Sequence, residues 1–435
     1  MVSVNAQLNL TYQGQVNYNE NLSDIWGYAA PNGDEYGLVG AHNGLSIVDV
    51  NDPENPTELF YIDGESSTWR DIKTWGEFCY VTNEEGSGLL VVDLTDLPNT
   101  IDFFNWTPNI PGLGTLQTAH NIWIDEFGYA YLVGCNINSG GMLYIDLFTD
   151  PFDPQFIDAG PAIYAHDVFV RNNLAYASEI YAGEFAVYDV SNKSNTSLLG
   201  NHETAANFTH NGWLSDDNTI IYTTDEVAGA SVGSYDVSDP SDIIELDQFI
   251  PYETLGDGVI PHNVHVWEDW LIISYYTDGC ILVDGSNPTN LVEVGNFDTY
   301  IPASTGFNGA WGAYPYLPSG IVLVSDIGNG MYVLEPNYVN ACWLEGTITD
   351  ASNSNPISDA SIVLMATNVF DASGIDGNYA TGYAISGTYD VQVSKPGYET
   401  AVVEAVLENG VITILNVALN PLVSFSMGGL VTDEL

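Results

Sequence analysis

The feature that most constrains the fold of this chain is a short apolar run that ends in an acidic residue and occurs seven times. Three of its copies read LSIVDV from Leu45, LLVVDL from Leu89 and CILVDG from Cys280. The acidic positions lie 43 to 53 residues apart, and they are Asp49, Asp93, Asp146, Asp189, Asp236, Asp284 and Glu335. Self-similarity at a fixed period of this length indicates a repeat architecture.

Each period holds four short runs rich in Val, Ile, Tyr and Phe, and Gly, Pro, Asn and Asp separate them. Such runs predict β-strands, and no helical periodicity of useful length accompanies them. Four-stranded units at roughly 40–50 residues are typical of propeller blades. The sequence therefore predicts an all-β protein built on a seven-bladed β-propeller. The repeated acidic residues are interpreted as turn residues.

The seventh unit lacks a fourth strand, because CWLEGTITD follows its third. A matching run, QLNLTYQGQV from Gln7, stands at the other end of the chain. We therefore expect the N-terminal strand to complete the last blade and close the ring, which would cover an exposed sheet edge.

The third-strand motif, in its form LSIVDVNDPENP from Leu45, resembles the LVIVD repeat. From Gln7 to Asn337 the chain is similar to bacterial surface proteins of the choice-of-anchor B family. That resemblance implies a propeller fold and export from the cell, and it implies no settled activity.

The pattern changes at Cys342. The following segment resembles the carboxypeptidase regulatory-like domain, a small transthyretin-like β-sandwich, from Trp343 to Asn420. The matching residues are Gly346, Asp350, Pro356, Ala360, Asp376, Gly377, Gly387, Thr388, Tyr389, Gly397 and Tyr398. The resemblance implies a non-catalytic extracellular spacer.

These observations divide the chain into four segments. Residues 1–6 are interpreted as the remnant of a secretory signal peptide, because Val4-Asn5-Ala6 resembles the small-residue end of one. Residues 7–340 form the propeller, residues 341–420 the sandwich, and residues 421–435 an unassigned tail. Cys79, Cys135, Cys280 and Cys342 show no C-x-x-C spacing; they are either paired in one of three ways or free and buried.

The formal net charge is −53, since 58 acidic residues face only five basic ones. Nucleic acid and anionic lipid are disfavoured as partners, because no basic patch can form. No run of 18 apolar residues occurs, so no transmembrane segment is predicted.

Aligning the starts of the seven units gives two columns of neighbouring residues. The first holds Ser23, Arg70, His120, His166, His210, His262 and Phe307, and the second holds Asp24, Asp71, Asn121, Asp167, Asn211, Asn263 and Asn308. Neighbours on a strand point to opposite faces, so the columns serve different roles. The second column carries Asx throughout, which favours a structural role in bonding nearby backbone at the strand entry.

The first column varies, so the fold does not require histidine there. Carboxylates at the ends of the second strands should lie on the same rim of the channel. The candidate binding residues there are Glu179, Asp225, Glu226, Asp278 and Asp326. Imidazole suits a transition metal, whereas carboxylates alone suit Ca²⁺. His120, His166, His210 and His262 are therefore candidate ligands of a divalent metal; the alternative is that they bond neighbouring loops. Arg70 either orients an anionic ligand or acts as a counter-charge for the rim.

The sequence contains no G-x-S-x-G, H-E-x-x-H or P-loop motif. The first functional hypothesis is a secreted or cell-surface bacterial protein that binds a glycan, peptide or protein and acts as a scaffold. The second is a metal-dependent oxidoreductase or hydrolase that uses the four histidines. The third is a structural subunit of a surface fibre or layer.

Overall fold

A computed structural model of the protein describes residues 6–301 and 305–422. Of the residues interpreted as a signal-peptide remnant, 1–5 lie outside that description, as do residues 423–435 of the unassigned tail. The chain divides into two compact units, residues 1–339 and 340–435.

The first unit consists of antiparallel sheets that follow one another along the chain. Strands β1 (Ala6–Gln7) and β2 (Leu10–Val16) come first. Sheet I contains β3 (Leu22–Ala29), β4 (Glu35–Ala41), β5 (Gly44–Asp49) and β6 (Thr57–Asp63). Sheet II contains β7 (Ile72–Trp75), β8 (Phe78–Val81), β9 (Leu89–Asp93) and β10 (Asp102–Trp106). A small hairpin follows, made of β11 (Asn109–Ile110) and β12 (Gly114–Thr115).

Sheet III contains β13 (Asn121–Ile124), β14 (Tyr129–Val133), β15 (Leu143–Asp146) and β16 (Gln155–Ala159), with a 3₁₀ turn at Asn138–Gly140. Sheet IV contains β17 (Asp167–Arg171), β18 (Leu174–Glu179), β19 (Glu184–Asp189) and β20 (Ser197–Glu203). Sheet V contains β21 (Thr209–Leu214), β22 (Ile220–Asp225), β23 (Val232–Asp236) and β24 (Ile244–Phe249). Sheet VI contains β25 (Asn263–Trp267), β26 (Trp270–Ser274), β27 (Cys280–Asp284) and β28 (Val292–Phe297).

Sheet VII is assembled from both ends of the first unit. Its strands β29 (Ala310–Tyr314), β30 (Val322–Asp326) and β31 (Gly330–Pro336) come from the end of the unit. Strand β2 pairs antiparallel with β31, from Leu10 opposite Pro336 to Val16 opposite Met331, and β1 pairs with β2. The N-terminal segment therefore supplies the fourth strand of this sheet, and the all-β class predicted from the sequence is confirmed.

Successive sheets pack face to face. Their first strands contact one another in chain order, and the first strand of sheet VII contacts that of sheet I. Buried side chains fill the spaces between them: Ile25 and Val48 of sheet I, for example, pack with Leu323 and Val333 of sheet VII. Each sheet is thus covered on both faces, which explains near-continuous apolar runs such as CILVD, in which all five residues are buried.

The acidic residue at the end of the third strand forms a turn, as predicted. In sheets I, II, IV, V and VI its Oδ1 accepts a hydrogen bond from the backbone N–H two residues later, at 2.9–3.0 Å. Asp146 of sheet III accepts the equivalent bond from Thr149 N, three residues later. Glu335 of sheet VII instead accepts a hydrogen bond from Gln13 Nε2 of the N-terminal strand.

The second unit contains two further sheets. One holds β32 (Cys342–Asp350), β35 (Asn378–Tyr383), β38 (Ile412–Ile414) and β39 (Val417–Leu419). The other holds β33 (Ser361–Leu364), β34 (Phe370–Ala372), β36 (Gly387–Ser394) and β37 (Ala401–Leu407). All four cysteines of the chain are free and buried, one of the alternatives that the sequence left open. No helix of the described residues is long and apolar enough to cross a membrane.

Deletion of residues 1–16 should strongly destabilise the first unit. The deletion removes the strand that pairs with β31 and the fully buried side chain of Leu10. Losing one buried leucine costs about 2–5 kcal/mol before the lost strand pairing is added. Thermal unfolding followed by circular dichroism should show a lower midpoint, and a synthetic peptide of residues 7–16 should raise it again. An unchanged midpoint would show that β2 contributes little to the sheet.

Candidate functional site

The four histidines predicted as metal ligands lie in a row across sheets III, IV, V and VI. The ring centroids of His120 and His166 are 3.8 Å apart, those of His166 and His210 are 4.3 Å apart, and those of His210 and His262 are 4.5 Å apart. Trp311 of sheet VII continues the row, with its centroid 4.5 Å from that of His262. Three of the histidines immediately precede the first strand of their sheet and His210 is the second residue of β21, and the packing of those strands brings the rings together.

The register of sheet VII corrects the sequence alignment of the seventh unit. Gly312 lies opposite Ser325 across a bulge, as Asn211 lies opposite Thr224 in sheet V. Trp311 and Gly312 therefore occupy the two columns, and the assignment of Phe307 and Asn308 was wrong. A side chain at position 312 would lie 3.1 Å from Asp24 Oδ1, so glycine fits where the other sheets carry Asx.

The Asx column joins neighbouring sheets to one another. Asp24 accepts a hydrogen bond from Ile72 N of sheet II at 3.0 Å, and Asp71 accepts one from Ile122 N of sheet III at 2.9 Å. The same contact joins Asn121 to Val168 N at 3.3 Å and Asn211 to Val264 N at 3.0 Å. Asp167 accepts a hydrogen bond from the side chain of Asn211. These residues thus have structural contacts with the next sheet, and Asp71 also accepts a hydrogen bond from the adjacent Ile72 N at 2.8 Å, the kind of nearby backbone bond that was predicted.

A small cavity of about 50 Å³ lies among the first strands, and its lining includes the Asx residues of sheets I to VI and, from the row, His120, His210, His262 and Trp311. Lys73 reaches this cavity, where its Nζ contacts Asp71 Oδ1 at 2.5 Å and lies 3.9 Å from Asp24 Oδ2. Burial lowers the pKa of Lys73, but the two carboxylates outweigh it and raise the pKa above its usual value. Sequence reasoning gave Lys73 no role, although its position two residues after Asp71 on one strand was a usable signal.

The histidines divide into two groups that could hold a cation. His120, His166 and Asp167 form one, and His210, His262 and Glu226 form the other; within each group the ligand atoms lie within 4.8 Å of one another. In the first group, His120 Nδ1 lies 2.6 Å from Glu84 Oε1, and His166 Nδ1 lies 3.1 Å from Asp167 Oδ1. In the second, the Nε2 atoms lie 3.7 and 3.8 Å from the two oxygens of Glu226.

Burial and neighbouring charges set the protonation of the row. Burial lowers the pKa values of His166, His210 and His262 below the ordinary value. Burial acts in the same direction on His120, but the hydrogen bond with Glu84 and the nearby carboxylates outweigh it and raise its pKa. Imidazoles with a low pKa are neutral at pH 7 and keep a lone pair available for a metal.

The other candidate binding residues are engaged in loop and turn contacts. Glu179 accepts a hydrogen bond from Tyr188 Oη, and Asp225 accepts bonds from Thr204 Oγ1, Ala206 N and Phe208 N. Asp278 accepts a bond from Thr254 Oγ1, and Asp326 accepts bonds from Gly328 N and Asn329 N. Of the five predicted rim carboxylates, Glu226 is the one whose oxygens lie within 4 Å of the ring nitrogens of His210 and His262.

Arg70 bonds backbone carbonyls. Its Nε donates to Ala41 O at 2.7 Å, and its Nη2 donates to His42 O at 3.3 Å and to Glu65 O. The contacts fit a structural role at the junction of sheets I and II, with carbonyl oxygens rather than rim carboxylates as the partners.

Asp278 lines a separate acidic cavity of about 290 Å³ together with Glu253, Glu293 and Asp298. Burial raises the pKa of Asp278 to about 6 and that of Glu293 to about 7. Among the described residues, this cavity does not contain three carboxylates with oxygens as close as those of the histidine groups. Calcium binding by the rim carboxylates stays a prediction.

Replacing Asn211 by Ala should lower the free energy of unfolding by about 1–3 kcal/mol, because Val264 N loses its acceptor in a buried position. Asn263→Ala is the matched control, since Asn263 Oδ1 has no hydrogen-bond donor among the described residues. Urea unfolding of both variants should show the larger loss for Asn211→Ala. Equal losses would refute the role assigned to the bond between sheets.

The stability of the protein should fall below pH 6.5 partly through His265. Burial, with a smaller contribution from the charge of Lys73, lowers the pKa of His265 to about 3. The neutral ring therefore stabilises the fold fully above the unfolded-state pKa of about 6.5, and this contribution is lost as the pH falls towards 3. Between these values the residue adds a slope of about 1.4 kcal/mol per pH unit. His265→Phe should remove that slope in urea unfolding between pH 4 and 6; an unchanged slope would contradict the assignment.

Comparison with protein families agrees with this architecture. The model of the LVIVD repeat matches residues 34–63, 163–204 and 261–299, which fall in or around sheets I, IV and VI. The model of the carboxypeptidase regulatory-like domain matches residues 344–420, in the second unit. No curated protein matches the chain. The chain thus carries three segments that match the LVIVD repeat and, after them, one segment that matches the carboxypeptidase regulatory-like domain.

Proposed function

We propose that this protein is an exported, cell-surface binding protein whose centre is a transition-metal site formed by its histidine row. The observation that carries the proposal is the approach of four imidazoles from four consecutive sheets, with neighbouring centroids 3.8–4.5 Å apart. Imidazole nitrogen is a preferred ligand of Zn, Cu, Fe and Ni. A bound ion would bridge sheets and present a charged centre to a ligand at the rim.

The proposal includes a seven-bladed propeller closed by the N-terminal strand. Three observations support it: the sheets repeat a four-stranded order, their first strands contact in sequence from sheet I round to sheet VII and back, and β2 pairs with β31. In such a ring the histidine row lies at one mouth of the central channel. The domain boundaries proposed are 7–340 for the propeller and 341–420 for the sandwich.

Export and a surface location are proposed from the family resemblances, and the class of partner is proposed from the charge. LVIVD repeats and a carboxypeptidase regulatory-like domain together favour a non-enzymatic surface protein, in which the C-terminal sandwich acts as a spacer. With 58 acidic residues against five basic ones, the partner is a glycan, a peptide or a protein rather than a nucleic acid.

A second candidate function is metal-dependent catalysis, by an oxidoreductase or a hydrolase. It is favoured by the composition of the two histidine groups, each of which offers three protein ligands. Catalytic zinc sites commonly have three protein ligands and leave a position for water or substrate.

Protein purified without chelators or a metal-affinity tag should contain a transition metal. The double variant His166→Ala, His210→Ala should lose that metal while remaining folded, because other sheets carry Ser23, Arg70 or Trp311 at the equivalent position. Elemental analysis of both proteins, alongside circular dichroism, tests the expectation. If wild-type protein neither contains nor takes up Zn²⁺ or Co²⁺, the metal site is refuted. The protein would then be a binding scaffold that has no metal centre.

A further inference from the structure

We infer that the metal ion is held by His210, His262 and Glu226 alone, and that His120 and His166 lie beside the ion without binding it. This inference rests on the proposed metal site and deepens it. It replaces a set of four equivalent histidines with a two-histidine, one-carboxylate centre between sheets V and VI.

The first argument comes from the Nδ1 atoms of His210 and His262. His210 Nδ1 lies 3.1 Å from His262 O, and His262 Nδ1 lies 2.5 Å from Trp311 O. A carbonyl oxygen only accepts hydrogen bonds, so Nδ1 is the protonated nitrogen in both rings. The remaining nitrogen, Nε2, then carries a lone pair in the neutral ring, which is the form that binds metals.

The second argument comes from the distances to Glu226. His210 Nε2 lies 3.7 Å from Oε2, and His262 Nε2 lies 3.8 Å from Oε1. These distances are too long for hydrogen bonds. Two ligands bound at about 2.1 Å to one tetrahedral ion are roughly 3.4 Å apart, so the observed spacing suits ligands that share an ion. Two lone pairs directed towards a carboxylate repel it unless a cation lies between them.

The third argument comes from the surroundings of these ligands. Tyr276 is fully buried, and its hydroxyl donates a hydrogen bond to Glu226 Oε1. The carbonyls of His262 and Trp311 fix the ring orientations of the two histidines. Hydrogen bonds between metal ligands and the residues behind them are typical of metal centres, and they raise the affinity of the site for the metal.

The other half of the row differs in where its carboxylates lie. The 2.6 Å distance from His120 Nδ1 to Glu84 Oε1 is a hydrogen-bond distance, as is the 3.1 Å distance from His166 Nδ1 to Asp167 Oδ1. The second oxygen of Asp167 accepts a bond from Asn211 Nδ2. Each of these carboxylates thus lies at hydrogen-bond distance from an Nδ1 atom, whereas Glu226 lies beyond that distance from two Nε2 atoms.

This ligand set also defines what the centre can take up. Two imidazoles and one carboxylate suit Zn²⁺, Fe²⁺, Ni²⁺ or Cu²⁺ rather than Ca²⁺ or Mg²⁺. Three protein ligands leave at least one coordination position for a small nitrogen or oxygen donor. His166 is the neighbouring imidazole outside the ligand set, with its ring centroid 4.3 Å from that of His210.

The test is titration of the metal-free full chain with Co²⁺, followed by its visible absorption. Wild-type protein should bind one equivalent. His262→Ala and Glu226→Gln should weaken binding at least about 10- to 100-fold, the range seen when even outer-shell partners of a metal are removed. His120→Ala is the matched control, an imidazole of the same row, and its dissociation constant should stay within about 3-fold of wild type, since that histidine is not a ligand. Added azide should change the spectrum of the wild-type complex, because it occupies the open position.

The outcomes separate the two proposals. If wild-type protein binds no Co²⁺ or Zn²⁺, the metal site itself fails, and this inference fails with it. If wild-type protein binds one equivalent but His120→Ala weakens binding as much as His262→Ala, the four histidines act as one site and the inference alone is overturned. Glu226→Gln preserves the size of a partly exposed side chain, so it tests the ligand set even if His262→Ala fails to fold.

Discussion

The hydrogen bond that a backbone N–H donates to an Asx side chain of the preceding sheet is the contact on which the first unit depends. It recurs from Ile72 N to Asp24, from Ile122 N to Asp71, from Val168 N to Asn121 and from Val264 N to Asn211. Apolar packing between sheets is non-directional, so it permits sliding. A buried, directional bond at the start of these first strands fixes the spacing and height of the sheets that it joins, because leaving either partner unpaired is costly.

The histidine row follows from that constraint. In sheets I to V the Asx residue is bonded to the next sheet, so the residue immediately before it is held at a fixed height beside its neighbour. Side chains at that position meet whatever their chemistry, and in sheets III to VI they are imidazoles whose centroids come within 3.8–4.5 Å. The packing of the sheets thus brings the side chains of this column together, and their residue types determine which chemistry the column has. Sheets I and VII carry Ser23 and Trp311 at this position, so the fold accepts residue types other than histidine there.

The sequence predicted the all-β class, the strand order within each repeat and the strand supplied by the N-terminus, because these depend on local patterns and on one unpaired edge. It also identified the four histidines and Glu226. It missed Trp311, because the loop before β29 differs in length from its counterparts and Phe307-Asn308 imitates the His-Asx pair. It did not predict that His210, His262 and Glu226 form one group, nor did it predict the hydrogen bonds of Glu179 and Asp225. These contacts depend on side-chain directions that spacing alone does not fix.

The overall charge explains why histidine matters at this position. A chain with 58 acidic and five basic residues can neutralise its carboxylates only with protons, bound cations or its few bases. Lys73 is the cationic partner of Asp24 and Asp71 at the cavity, and His120 pairs with Glu84. Glu226 is approached by two imidazoles whose protons point the other way, towards backbone carbonyls. Neither ring can supply a proton to Glu226 in that arrangement, whereas a divalent ion would satisfy all three groups at once.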